Sequence, residues 1–162
     1  MGILKMKLIM SFLSIVALSG YAAENISILE HQVLNAARTG TGEEVVAILG
    51  VEPRSRDLRT AHRSTPLHLA AANANPSSLK ALLAAGADPN ALDQDGLTPL
   101  HVAAYTQNAV HAQLLLEAGA DPYAKTNVGR DPTSMARKAM ANEVAGVISL
   151  WLLKGCKSGK PC

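Results

Sequence analysis

The chain has 162 residues, which is enough for one ordinary domain. Apolar residues make up 48% of it but aromatic residues only 3%, so the core must be built from Leu, Val, Ile and Ala. The formal charge of +2 is accounted for by Lys5 and Lys7, and the remainder of the chain is neutral. No overall field therefore favours nucleic acid or an acidic membrane as a ligand.

The first 22 residues are predicted to be a secretory signal peptide. Lys5 and Lys7 precede an apolar run from Leu8 to Leu18, and small residues follow at Gly20 and Ala22. Cleavage is expected after Ala22, with Ala23 as the alternative. A retained anchor or a buried helix is the rival interpretation, but the run is shorter than the roughly 20 residues that span a bilayer. A periplasmic or secreted protein without stable membrane insertion is expected.

Two short motifs recur with a spacing of 33 residues. Thr-Pro-Leu-His at 65–68 returns at 98–101, and Gly-Ala-Asp-Pro at 86–89 returns at 119–122. A fixed period of this length predicts stacked supersecondary units rather than one globular core. Aligning the chain on the period gives a domain at 24–153 with units at about 32–64, 65–97, 98–130 and 131–153.

Each unit is predicted to contain two short helices. In the second unit these are 66–72, capped by Thr65, and about 76–85, capped by Asn75 and stopped by Gly86. The corresponding second helix of the third unit is 110–118. Turns at 88–90 and 93–96 predict a hairpin-like finger between units. The apolar face of the second helix is expected to consist of Leu79, Leu82 and Leu83 in the second unit. The matching residues of the third unit are expected to be Leu114, Leu115 and Leu116.

The first and last units depart from the motif and are interpreted as caps. The first presents Glu30, His31, Glu43 and Glu44 to water, as the end of a stack requires. The last ends in Trp151, the only tryptophan. This ring either covers the end of the core or anchors a partner.

The only cysteines, Cys156 and Cys162, lie in a short tail at 154–162. A disulfide between them agrees with an exported protein. Metal binding, an intermolecular bond and a redox role are the alternatives, although two thiols with no neighbouring His make a poor zinc site.

The motifs carry a resemblance to a known family. Gly-Leu-Thr-Pro-Leu-His-Val-Ala-Ala at 96–104, followed by Leu-Leu-Leu-Glu-Ala-Gly-Ala-Asp-Pro at 114–122, resembles the ankyrin repeat, and 64–71 is a second close copy. The resemblance covers roughly 28–153. It implies an all-α ankyrin-repeat solenoid of about four helix-turn-helix repeats with hairpin-like fingers. It also implies that another protein binds the concave side formed by fingers and first helices.

Catalytic and cofactor motifs are missing from the sequence, so we expect neither an enzyme nor a bound cofactor or metal. There is no nucleophile motif and no phosphate-binding glycine loop. The resemblance implies that His68 and His101 bridge first helices and finger backbone. His31, His62 and His111 show no ligand spacing and are expected to be solvated.

A basic cluster marks the finger between the first two units. Four arginines fall within ten residues, and the finger is either a solvated loop or a contact for an acidic protein. Replacing Arg56 and Arg59 by Glu is expected to weaken partner capture and leave the thermal midpoint nearly unchanged. With the tips of the other fingers, the predicted partner-binding residues are Arg54, Arg56, Arg59, His62, Arg63, Asp93, Gln94, Thr126 and Asn127.

The predicted function is a protein–protein interaction module of the cell envelope. The rivals are an immunity-type inhibitor of a toxic enzyme, a secreted host-directed effector, and an enzyme with an unrecognised site. A monomer is expected, and nucleic acid is not expected as a partner because stacking aromatics are missing.

Overall fold

The computed structural model describes residues 31–156, and within them the chain is helical, without a β-strand. The first helix, α1, occupies 31–39 of the described chain. The others are α2 (Gly42–Val51), a 3-10 helix (Pro53–Asp57), α3 (Pro66–Ala72), α4 (Pro76–Ala84), α5 (Pro99–Tyr105), α6 (Ala109–Glu117), α7 (Pro132–Lys138) and α8 (Asn142–Leu153).

Three first helices begin with the same local chemistry, 33 residues apart. Helices α3, α5 and α7 start at proline, where the missing N–H would have had no intrahelical partner. The preceding N-cap residues have extended backbones, and two of them bond the third helical amide. Thr98 Oγ1 accepts from His101 N at 3.4 Å, and Asp131 Oδ1 accepts from Ser134 N at 2.7 Å.

The second helices also start and stop as their sequences predict. Asn75 Oδ1 accepts from Ser77 N at 3.0 Å, and Asn108 Oδ1 accepts from His111 N at 3.1 Å, so asparagine caps both α4 and α6. Each of these helices then ends at a glycine with positive φ, at 80° for Gly86 and 100° for Gly119.

The helices stack in two rows. First helices contact first helices (α3 with α5, α5 with α7), and second helices contact second helices (α2 with α4, α4 with α6, α6 with α8). Leu67 and Leu100 are fully buried in the first row, and Leu82, Leu115 and Ile148 in the second. Burying each such side chain contributes about 1.5–3 kcal/mol, so stacking neighbours stabilises units too small to fold alone.

One expected pairing between the second helices is wrong: Leu79 was matched with Leu114, which lies two residues beyond its true repeat position. Leu79 occupies the repeat position of Ala112, and both are fully buried, whereas Leu114 is half-buried. Leu82 with Leu115 and Leu83 with Leu116 keep the 33-residue spacing. A run of three leucines obscures which one faces the core, and contact with the next helix decides it.

Both ends of the described stack expose an arginine, and Trp151 covers the core at the C-terminal end. Ala71 and Ala104 are fully buried in the inner repeats, and the matching positions of the end repeats hold the exposed Arg38 and Arg137. Trp151 is 8% exposed and packs in the core cluster, which confirms that it covers the end of the core. Its alternative role as an exposed partner anchor is excluded.

No described helix is long and apolar enough to cross a membrane. The predicted signal peptide at 1–22 lies outside the described residues, as do Glu30 and Cys162. Cleavage and the disulfide between Cys156 and Cys162 stay predictions.

Candidate protein-interaction face

Three fingers precede the helices α3, α5 and α7, and each is closed by the same pair of hydrogen bonds. Backbone bonds join Thr60 N to Ser64 O (2.9 Å), Asp93 N to Leu97 O (3.0 Å) and Thr126 N to Arg130 O (2.9 Å). The side-chain oxygens of Thr60, Asp93 and Thr126 accept the returning amides of Ser64, Leu97 and Arg130 at 3.1, 2.8 and 3.2 Å. These side chains build the turns. Residues 59–64, 92–97 and 125–130 are called the fingertips below.

The fingertips are bonded to one another. Gln94 N donates to His62 O at 2.9 Å, and Asn127 N donates to Asp95 O at 3.0 Å. The side chain of Asn127 also donates to Gln94 O at 3.0 Å. Because each fingertip is fixed to the next, the row presents one continuous surface.

Two buried histidines join the first helices to the fingers. His68 Nδ1 accepts from Thr65 N at 3.1 Å, so the proton of its neutral ring lies on Nε2, which donates to Leu97 O at 2.9 Å. His101 repeats the arrangement with Thr98 and Arg130 O. Burial lowers the pKa of both rings, which keeps them neutral. The predicted bridging role of His68 and His101 is therefore confirmed.

First helices and fingertips thus form one side of the molecule. We call it the front face, and it comprises α1, α3, α5 and α7 with their N-cap residues and the three fingertips.

Two of the four clustered arginines are engaged within the protein. Arg56 Nη1 donates to Ala85 O at 2.8 Å and its Nε pairs with Asp57 at 3.2 Å. Arg59 Nη1 donates to Leu92 O at 2.6 Å and to Arg63 O at 2.9 Å. Both side chains bond the next repeat, so the structure leads us to expect that Arg56→Glu with Arg59→Glu lowers the thermal midpoint rather than leaving it nearly unchanged.

The other members of the cluster are exposed. The side chains of Arg54, His62 and Arg63 have no hydrogen bond or ion pair among the described residues. Arg63 has a φ of 60°, and glycine stands at the same repeat position in the other fingers, at Gly96 and Gly129 with φ of 74° and 76°. A bulky residue in the left-handed region costs of order 1 kcal/mol, which often marks a functional position.

The remaining predicted partner-binding residues lie in the same row but are not equally available. Gln94 and Asn127 are exposed at fingertips, although the Asn127 amide is already bonded to the neighbouring finger. Asp93 is half-buried and Thr126 is 6% exposed, and both side chains accept backbone amides.

The structure adds exposed apolar residues that the sequence interpretation missed. Tyr105 at the end of α5 is 70% exposed, and Leu92 and Val128 in the fingertips are 49% and 74% exposed. Tyr105 occupies the repeat position of Ala72 and Lys138, which are also exposed. An aromatic residue at a position that holds Thr39, Ala72 and Lys138 in the other units was the available signal.

His111 contradicts the expectation of a solvated ring. It is fully buried in α6, and neither ring nitrogen has a hydrogen-bond partner among the described residues. Burial lowers the pKa of His111, and the Asn75 backbone, whose contact with the ring falls short of hydrogen-bond geometry, opposes that shift only in part. The same repeat position holds Val45, Ser78 and Val144. Of these, only Ser78 is polar, and its hydroxyl donates to Gly40 O at 2.9 Å. His31 and His62 are exposed as expected.

No group of three or more His, Cys, Asp or Glu side chains that could hold a metal ion occurs in 31–156. Carboxylates in the turns serve the backbone instead. Asp88 and Asp121 each accept the amide two residues ahead, at 2.8 Å from Asn90 N and Tyr123 N respectively.

Together, the stacked helix pairs, the bonded fingers and the bridging histidines define a helical-repeat scaffold with an extended front face. The model of the ankyrin repeat family, as three copies, matches residues 33–126, which is more than half of the chain, so the protein belongs to the ankyrin repeat family. No curated protein matches the chain. Ankyrin repeats are generic protein–protein interaction modules and are typically non-enzymatic.

Proposed function

We propose that this protein is an interaction module of the cell envelope that holds a partner protein on its front face. The observation that carries the proposal is the exposure of Tyr105, Leu92 and Val128 on a surface fixed by hydrogen bonds between repeats. Apolar and aromatic side chains on a rigid surface lose little conformational entropy on binding, and tyrosine is enriched where binding energy concentrates.

The envelope location rests on sequence alone. Lys5, Lys7 and the apolar run at 8–18 support export, and the cysteine pair of the tail agrees with an oxidising compartment. Intact-mass spectrometry of the purified protein tests this proposal. A mass that begins after Ala22 or Ala23 supports export, and a mass that retains 7–18 contradicts it.

Tyr105 provides the direct test of the front face. Tyr105→Ala is expected to weaken the affinity for a partner captured from the envelope by about 30-fold, the loss of a hot spot of roughly 2 kcal/mol. Isothermal titration with the purified partner measures the change.

Tyr123→Ala is the matched control. Tyr123 is also exposed, at 68%, but it lies in the turn after α6 and outside the front face. Equal losses in both variants, or a loss only in Tyr123→Ala, would place the interaction elsewhere on the protein.

A further inference from the structure

Charge is unevenly distributed over the described chain although its total is zero. Residues 31–156 contain eleven Lys and Arg and eleven Asp and Glu. The front face holds seven of the cations and three of the acids, and all other described residues hold four cations and eight acids. The front-face cations are Arg38, Arg59, Arg63, Lys125, Arg130, Arg137 and Lys138, and its acids are Asp93, Asp95 and Asp131.

The few acids of the front face are mostly occupied by the backbone. Asp93 Oδ1 accepts from Asp95 N at 2.9 Å and from Leu97 N at 2.8 Å. Asp131 caps α7, and its bond from Ser134 N lowers the pKa of that carboxyl, which is therefore ionised. Asp93 and Asp131 keep their charge but are half-buried, and Asp95 is the one exposed acid of the front face, so exposed cations outnumber exposed acids there.

The cations, in contrast, are available. Arg63, Lys125 and Lys138 are exposed, and their side chains form no hydrogen bond or ion pair in the described part of the chain. Their positions follow the repeat. Lys138 stands one unit after Tyr105, and Lys125 stands one unit after Leu92. At each of these two repeat positions, an exposed apolar side chain is therefore followed one unit later by an unpaired cation.

We infer that the partner of this face is a protein with an acidic surface, whose carboxylates meet Arg63 and Lys138 while an apolar segment contacts Tyr105 between them. The inference rests on the proposed function and adds the chemistry of the partner. Unpaired exposed cations attract such a surface over about 8 Å at physiological ionic strength. Overall neutrality does not prevent this attraction, because the opposing acids lie on other elements.

Site-specific crosslinking tests the inference even while the partner is unidentified. Benzoylphenylalanine is placed at Val128, which is 74% exposed in the third fingertip, in cells that naturally make the protein. The same probe at Gln113, exposed on α6, reports on the opposite row of helices. Mass spectrometry identifies each product and the crosslinked peptide. We expect a protein product from Val128 with more Asp and Glu than Lys and Arg around the crosslink.

Two charge-reversal pairs test the role of the cations. Arg63→Glu with Lys138→Glu is expected to reduce the Val128 crosslink at least tenfold. The control pair is Lys80→Glu on α4 with Lys154→Glu just after α8. It changes the net charge by the same amount as the front pair and is expected to alter the yield of the Val128 crosslink less than twofold. The two pairs should share one thermal midpoint within about 2 °C, since all four side chains are exposed.

The outcomes separate the inference from the proposed function. A protein crosslink from Val128 that persists in the front pair, or that falls equally in both pairs, overturns the acidic partner and leaves the interaction module standing. Protein crosslinks only from Gln113, or none from Val128, overturn both. RNA or lipid as the product at Val128 also overturns both.

Discussion

Arg63 is the clearest residue-scale departure from the repeat. Its backbone adopts the left-handed conformation that glycine adopts in the next two fingers. At Gly96 a β-carbon would lie 2.6 Å from Asn127 Oδ1, so glycine is required there, whereas the first fingertip accommodates a side chain. An exposed side chain held at positive φ, with no hydrogen bond among the described residues, supports a role for Arg63 in binding.

Arg63→Gly is therefore expected to raise the free energy of unfolding by about 0.5–1 kcal/mol, because glycine removes the strain of positive φ. Chemical denaturation measures the change, and partner affinity should fall in the same variant. A decrease in stability would show that the Arg63 side chain stabilises the finger.

His111 gives the chain a predicted sensitivity to acid. Its pKa in the folded protein is lowered by burial from the ordinary 6.5, and no charged side chain contributes to that shift. The unfolded chain therefore binds protons that the folded chain does not, and stability is lost as pH falls from about 6.5 towards the folded-state pKa. His68 and His101 act in the same direction.

The free energy of unfolding should accordingly decrease between pH 7 and pH 5, as urea titrations at several pH values would show. His111→Val, which copies Val45 and Val144, should make this decrease shallower and raise stability at pH 7 by about 1 kcal/mol, because an unsatisfied buried ring is removed. An unchanged slope would mean that His111 is not the titrating group.

At the scale of elements, the bond from each first helix to the following finger is the recurrent connection. His101 fills the role that glutamate takes in the usual capping box, because its Nδ1 accepts the N-cap amide. Its other nitrogen reaches Arg130 O at 3.0 Å. One side chain thus caps α5 and fixes the third finger.

His101→Ala is expected to lower the free energy of unfolding by about 1–3 kcal/mol, since it leaves the buried Thr98 amide without a partner and removes the bond from α5 to Arg130 O, which keeps only its bond from Thr126 N. His62→Ala is the control, and the exposed His62 should change stability by less than about 0.5 kcal/mol. Equal effects of the two substitutions on the denaturation midpoint would contradict the bridging role.

Elements were largely predictable from sequence, because their signals are local. Thr-Pro at 65–66 and 98–99, and Asn75, set helix starts within a few residues of where the structure has them. The bonds of Arg56 to Ala85 O and of Arg59 to Leu92 O were not predictable. They join positions 29 and 33 residues apart, and their geometry depends on how the repeats stack. The burial of His111 was not predictable either, because it also depends on how the repeats stack.

The candidate face was predicted at the level of its elements and less well at the level of its side chains. Fingertips and first helices follow from the 33-residue period, and Arg63 and His62 are exposed as proposed. Thr126 and Asp93 are turn residues whose oxygens are already bonded, and Tyr105 was not selected. Exposure depends on the neighbouring repeat, which no single motif specifies.

At the scale of the whole molecule, the helices of the described chain contact one another only within a repeat or between neighbouring repeats. Helices contact the next helix of their own row and the partner in their own pair. Such an array has no single centre, and its stability approximates a sum over units and interfaces. A partner that spans the fingertips would therefore stabilise several interfaces at once.

The two arginines that replace buried alanines at the ends have a consequence for how such a chain can lengthen. A unit added beyond α1 or α8 would have to cover Arg38 or Arg137, whose charge loses its water there. A copy of 65–97 inserted between the second and third units would instead meet Ala71 and Ala104, both already suited to close contact. The described stack can therefore accept an additional repeat between its inner units more readily than at either end.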